Sequence, residues 1–108
     1  MIMVTRTITF FDSRKFVSFK TNAEFPSALK LTFDSLLEEL RSLKVLGFTE
    51  IDDRELTFTQ NFIWDNREKM ESYLKWAEDN HNYTAFYAEW IDYVTSIGGK
   101  VTVTQSEI

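Results

Sequence analysis

Two polar residues interrupt predicted apolar strand faces, and they are the first candidates for chemistry in this sequence. Arg6 lies between Val4 and Ile8 at two-residue steps, and Gln60 interrupts the apolar face of a later strand in the same way. Because strand side chains alternate between two faces, each polar side chain points to the apolar side of its strand. A buried polar group costs free energy unless it is paired, so the two residues together predict one polar spot in an aromatic pocket.

The chemistry that this pair suggests is recognition of a small molecule. In that hypothesis Arg6 orients an anionic or enolate-like ligand, and a tyrosine or His81 transfers a proton. The alternative is that Arg6 pairs with Glu89 or Asp92 and has a structural role only.

Aromatic residues on two predicted helices are further pocket candidates. They recur at helical spacing, which is typical of a core and also of a pocket for a flat ligand. Trp76 lies beside the apolar stripe of its helix rather than in the centre of it, so we expect this residue to face a cavity or a partner. The set consists of Tyr73, Trp76, Tyr83, Tyr87 and Trp90.

His81 is the only histidine, and it stands between Asn80 and Asn82 where the helical pattern breaks. One histidine without a cluster of further ligands makes a poor metal site, so a turn or cap position is the simpler explanation. The sequence also has no glycine-rich phosphate loop and no nucleophile elbow. We therefore expect no metal and no cofactor.

Composition limits the class of protein. The chain has 108 residues, 44% hydrophobic content and no cysteine, which predicts one domain over residues 1–108 that folds without disulfides. The first residues lack the pattern of a signal peptide, and no apolar run approaches the roughly 20 residues that span a bilayer. We expect a soluble cytoplasmic protein with no membrane partner.

Charge argues against a nucleic-acid partner. The sequence has 17 acidic and 12 basic residues, a net charge of -5, and its basic residues are scattered. Such a chain lacks the positive patch that binds a phosphate backbone. We expect no nucleic acid.

Threonine alternates with apolar residues in three stretches, residues 5–10, 56–59 and 101–104, apart from Arg6. Each stretch predicts a strand with one apolar face and one threonine face. Helices must cover the apolar side, so the functional question is what covers the threonine side.

Helices are predicted between these strands. Apolar residues recur at three- and four-residue steps from Pro26, which predicts a helix of about 20 residues with Gly47 as its C-cap. Asp65 is predicted to cap a second helix together with Glu68, and a third helix begins near Tyr83.

Two segments have weaker patterns. Residues 16–20 suit either a short return strand or an irregular extension, because periodicity cannot distinguish the two over so few residues. The tail from Gln105 to the last residue, Ile108, is predicted to be loose.

The order of elements, β-α-β-β-α-α-β, predicts a ferredoxin-like antiparallel sheet with its helices on one face. Right-handed crossovers make the first and third strands central neighbours. Arg6 and Gln60 can then meet beneath the helices, and the threonines lie on the other face.

Residues 56–64, followed by Asp65-Asn66-Arg67-Glu68 and a helix that contains tyrosine and tryptophan, resemble the third strand and following helix of the dimeric α+β barrel superfamily. This superfamily includes the antibiotic-biosynthesis-type monooxygenases and related haem-degrading enzymes. The detailed resemblance covers residues 56–76, and the element order fits over residues 2–104. It implies a homodimer through the threonine-rich sheet faces, with a pocket between the sheet and the helices of each subunit.

The haem-degrading members of that superfamily use an asparagine, a tryptophan and a histidine. By the resemblance these positions fall at Thr5, Tyr73 and Tyr83, and His81 is two residues short of the third. Since none of the three matches, the residues argue against haem degradation and leave a different small-molecule chemistry open.

Two functions remain open from the sequence. The first is a homodimeric protein that binds a small molecule or acts as a cofactor-independent, monooxygenase-like enzyme, with Arg6, Gln60, Tyr73, Trp76, His81 and Tyr87 as pocket candidates. The second is a noncatalytic interaction module that presents its threonine face or a strand edge to another protein and has no small-molecule site.

Overall fold

A four-stranded antiparallel sheet and four helices make up the described part of this computed structural model, which covers residues 1–21 and 26–108. The elements in chain order are β1 (Ile2–Phe10), α1 (Ser13–Lys20), α2 (Ser27–Ser42), β2 (Leu46–Asp52), β3 (Thr57–Trp64), α3 (Arg67–His81), α4 (Tyr83–Ser96) and β4 (Gly99–Glu107). None of the helices in these ranges has the length and apolarity that crossing a membrane requires.

The strands are ordered β2-β3-β1-β4, and each neighbouring pair is antiparallel. The first and third strands are therefore central neighbours, which confirms the predicted α+β, ferredoxin-like arrangement. In the register between them Arg6 lies directly opposite Gln60.

Residues 16–20 form part of a helix, so both predictions for this segment, a short return strand and an irregular extension, were wrong. The Asp12 carboxylate caps α1 by accepting hydrogen bonds from the backbone N–H groups of Arg14 and Lys15. The bond from Lys15 is the main reason that the pKa of Asp12 is lowered. Phe16 and Phe19, three residues apart, are the buried residues of this helix, and tertiary packing explains why so short a segment is helical.

The end of α2 and the role of Gly47 also differ from the prediction. The helix ends at Ser42, Lys44 adopts the left-handed conformation at φ 58°, and Gly47 lies within β2 rather than at a helix cap. Gly47 pairs with Phe62, and a Cβ at this position would come within 3.2 Å of the phenylalanine ring. The glycine therefore serves close packing against the neighbouring strand.

Two further local predictions were wrong. Asn66, not Asp65, caps α3, because its side chain accepts a hydrogen bond from the backbone N–H of Lys69, while Asp65 forms an ion pair with the Lys69 ammonium at 3.3 Å. The tail is not loose up to Glu107, since β4 extends to this residue and pairs there with Ile2.

The side chains between sheet and helices form two apolar clusters. The first cluster includes Ile2, Trp64, Met70, Tyr73, Ala77 and Phe86, and the second consists of Ile8, Phe10, Phe16, Phe19, Trp90 and Val94. On β1 the helix-facing position between these clusters is occupied by Arg6. The sheet thus places a cation and a carboxamide between two apolar clusters, under the helices.

Candidate functional site

A cavity of about 290 Å³ lies between the sheet and helices α2, α3 and α4. Three strands contribute to its floor, and its lining is mainly apolar and aromatic. Its aromatic residues include Phe33, Phe62, Trp64, Tyr73, Tyr83 and Tyr87. A concave apolar site with few polar groups is typical of small-molecule pockets, and this volume is near the lower end of their usual range of about 300–1,000 Å³.

Arg6 is the cationic residue of this lining, and its guanidinium is only loosely held. Its Nη1 donates to the amide oxygen of Gln60 and its Nη2 to the hydroxyl of Tyr83, both at 3.5 Å. Its Nε is buried and has no hydrogen-bond partner among the described residues. The guanidinium carbon lies 5.1 Å from the ring centre of Tyr87 and 5.2 Å from that of Trp90, which is cation–π geometry.

Arg6 does not form either of the ion pairs that were predicted for a purely structural role. Glu89 and Asp92 are both exposed, and neither pairs with Arg6. Across residues 1–21 and 26–108, no carboxylate lies within 4.0 Å of the guanidinium. The positive charge is therefore compensated by aromatic rings and two long hydrogen bonds rather than by an acid.

Two tyrosine hydroxyls at the cavity have altered acidity. Burial raises the pKa of Tyr73, and the nearby hydroxyl of Tyr83 raises it further. Burial also raises the pKa of Tyr83, and this effect outweighs the opposing influence of Arg6. Both phenols are consequently neutral at physiological pH, where they can donate a hydrogen bond to a ligand but cannot act as bases.

We expect these raised pKa values to make stability fall at high pH. An unfolded tyrosine ionises near pH 10, whereas the two buried phenols resist ionisation, so their contribution is complete below about pH 10 and is lost as the pH rises through their folded pKa values. Urea unfolding at a series of pH values should show this loss in the wild type and a smaller loss in a Tyr73→Phe, Tyr83→Phe variant. An equal loss of stability in both proteins would show that the raised pKa values of Tyr73 and Tyr83 are not its cause.

Other sequence candidates occupy different places. Trp76 stacks on Tyr73 with ring centres 6.0 Å apart, and its ring also contacts His81 edge-on at 5.2 Å. Trp76 and His81 do not line the cavity that contains Arg6. Within the described ranges, no group of three or more histidine, cysteine or acidic residues is arranged to hold a metal.

A second cavity of about 270 Å³ adjoins the first. Phe33, Leu37 and Trp90 line both cavities, and Gln60 lines the second. The Arg6–Gln60 hydrogen bond therefore lies at the boundary between the two cavities. Of the candidates, Arg6, Tyr73 and Tyr87 line the first cavity, and Gln60 faces the second.

Two lining residues were not among the candidates from the sequence, and the prediction that the tail is loose accounts for Gln105 only. Val103 and Gln105 of β4 line the first cavity. They continue the period-two alternation that starts at Val101, and this signal places Gln105 on the helix-facing side of the sheet. Val103 already lies in the predicted strand, and extending the alternation by one residue would have included Gln105.

The side of the sheet away from the helices, here called the open face, changes character along the strands. At one end Met3, Leu46, Phe48 and Ile63 make it apolar, and Phe48 and Leu46 are 42% and 62% exposed. Its middle is occupied by threonines, namely Thr5, Thr7, Thr59, Thr102 and Thr104. At the other end β2 carries Glu50 and Asp52, and β4 carries Lys100.

No protein-family model matches this sequence, and no curated protein matches it. Among solved structures, the chain is similar to a dimeric ferredoxin-like protein from an uncultured marine organism, with a TM-score of 0.59 and 9% identity over 99% of this chain and 93% of that one. It is also similar to an antibiotic-biosynthesis-monooxygenase-like protein from Deinococcus radiodurans, with a TM-score of 0.55 and 14% identity over 100% of this chain and 92% of that one. At these identities the similarity shows that the chain has a ferredoxin-like α+β fold.

Proposed function

We propose that this protein binds a small, flat organic acid in the first cavity, with Arg6 holding the acidic oxygen. The observation that carries the proposal is a buried guanidinium nitrogen without a hydrogen-bond partner among the described residues, in a cation that no described carboxylate neutralises. Aromatic and aliphatic walls around this cation suit the apolar body of such a ligand.

The energetics favour an anionic ligand. A cation removed from water loses hydration free energy, and two 3.5 Å hydrogen bonds recover little of it. A carboxylate or enolate oxygen would accept short, charge-assisted hydrogen bonds from the planar guanidinium. The Tyr83 hydroxyl accepts from Arg6, so its own proton can be donated to the same ligand oxygen.

A monooxygenase-like reaction on the bound acid is a second candidate function. The fold shared with the Deinococcus protein favours it, and two convergent donors would stabilise an enolate form of the ligand. The interaction-module hypothesis, by contrast, gives no reason for a cation inside an aromatic cavity. An oxygen electrode would detect such a reaction as oxygen uptake that requires both protein and an enolisable acid.

Calorimetric titration with cinnamate tests the binding function. Cinnamate is a flat acid with few atoms, so we expect a dissociation constant of about 0.1–1 mM. Cinnamamide, its neutral analogue, should bind about tenfold more weakly because it cannot make a charge-assisted bond to Arg6. Equal affinity of the acid and the amide, or no binding of either at millimolar concentration, would contradict the proposal.

We also propose that a second copy of the chain covers the open face. Exposed Leu46 and Phe48 give this face apolar area to bury, and the marine protein of similar fold is dimeric. A twofold axis parallel to the strands would place β2 over the β4 strand of the partner copy. The acidic Glu50 and Asp52 would then lie near the end of that β4 strand that carries the basic Lys100. This charge complementarity supports self-association of the open face.

A further inference from the structure

The second cavity differs from the first in its charges. Two lysines, Lys20 and Lys30, and one acid, Asp34, line it together with aromatic side chains. Lys20 forms an ion pair with Asp53 at 3.1 Å. Lys30, in contrast, has no ion pair with any residue in the described ranges. Since Asp53 compensates Lys20, Lys30 is the lysine of this lining whose ammonium group has no carboxylate within 4.0 Å among the described residues, and it is the candidate group for binding an anion.

Gln60, which lies between the two cavities, provides a further hydrogen-bond donor. Its amide oxygen accepts from Arg6, so within the described part of the chain its amide nitrogen is left to donate to a ligand. Trp90 belongs to both linings and lies below the Arg6 guanidinium. Hydrogen-bond donors that can bind acidic groups thus lie on both sides of Trp90, with Arg6 in the first cavity and Lys30 in the second.

We infer that the second cavity is a subsite for a second acidic arm of the same ligand. The inference rests on the proposed function, because it assumes that the first cavity binds an organic acid at Arg6. It specifies the ligand class as an elongated aromatic diacid. One acidic group binds Arg6, the flat body lies against Trp90, and the second acidic group reaches Lys30 and Lys20.

Two probes that differ only in the second acidic group test this subsite. Cinnamate carries one carboxylate, and para-carboxycinnamate carries a second one at the opposite end of the ring. An exposed ion pair is worth up to about 1 kcal/mol, so we expect the diacid to bind the wild-type protein about threefold to fivefold more tightly in calorimetric titration.

A matched pair of variants separates the subsite from general charge effects. Lys20→Gln with Lys30→Gln should remove the advantage of the diacid and leave cinnamate affinity nearly unchanged. Lys44→Gln with Lys75→Gln removes the same charge from residues that line neither cavity, and it should preserve the advantage. Circular dichroism of both variants verifies that the fold is retained.

The outcomes distinguish failure of the subsite from failure of the proposed function. If cinnamate binds and the diacid binds no more tightly, the subsite is overturned while the binding function stands. If the diacid advantage survives the loss of both Lys20 and Lys30, the subsite assignment is also overturned. If neither probe binds, the proposed function fails and the subsite fails with it.

Discussion

An Arg6→Met variant is expected to be more stable than the wild type and to lose ligand binding. Methionine has a similar length and an apolar, adaptable side chain that suits an aromatic pocket. It removes a cation that no described carboxylate compensates, so we expect the free energy of unfolding to rise by about 1 kcal/mol. It also removes the charge-assisted bonds to the ligand, and we expect cinnamate affinity to fall at least about thirtyfold.

Urea unfolding and calorimetric titration measure the two effects on the same protein. Arg54→Met is a matched control, because Arg54 is exposed and lines neither cavity, and it should change neither quantity appreciably. Arg6→Lys keeps the charge without the planar fork and should retain part of the affinity. A loss of more than about 1 kcal/mol of stability in Arg6→Met would instead assign Arg6 a structural role.

The position of the polar pair could be predicted from the sequence for a clear physical reason. The two-residue period fixes the face of a strand on which Arg6 and Gln60 lie, and the crossover rule makes their strands neighbours. These two arguments are enough to bring the residues beneath the helices, where the register places them directly opposite each other. Neither argument depends on side-chain packing.

The full lining of the cavities could not be predicted, because it depends on how closely the side chains of different helices pack against one another. Tyr73 and Tyr87 recur at the same helical spacing as core residues, yet both line the first cavity. Trp76, which lies beside the apolar stripe, packs instead between Tyr73 and His81. A periodic pattern identifies the buried side of a helix, but it does not distinguish contact with another side chain from contact with a space.

Local errors came from short segments in which two patterns fit the same residues. Phe16 and Phe19 are spaced for a helix, while Val17 and Phe19 also fit the apolar face of an alternating strand, and only packing against β1 and α4 decides between them. Asp65 and Asn66 both suit a helix cap, and the backbone selects Asn66. Tertiary contacts decide between the two patterns in each case, and a short stretch of sequence carries no information about these contacts.

A lysine at Thr7 is expected to convert the proposed dimer into a monomer. Thr7 lies in the middle of the open face, directly between Thr59 and Thr102 on the neighbouring strands. In a twofold interface the Thr7→Lys substitution occurs in both copies, so two like charges would be buried close together. Since each such charge costs several kcal/mol, we expect the dissociation constant of the dimer to rise at least about a hundredfold, measured by sedimentation equilibrium.

Thr49→Lys is the matched control for this substitution. Thr49 is an exposed strand residue whose side chain lies on the helix-facing side of the sheet, so its replacement should leave the dimer intact. Because the first cavity lies on the side of the sheet opposite Thr7, the Thr7→Lys monomer should still bind cinnamate with nearly the wild-type affinity. A wild-type protein that stays monomeric at high concentration, or a Thr7→Lys variant that dimerises as the wild type does, would contradict self-association through the open face.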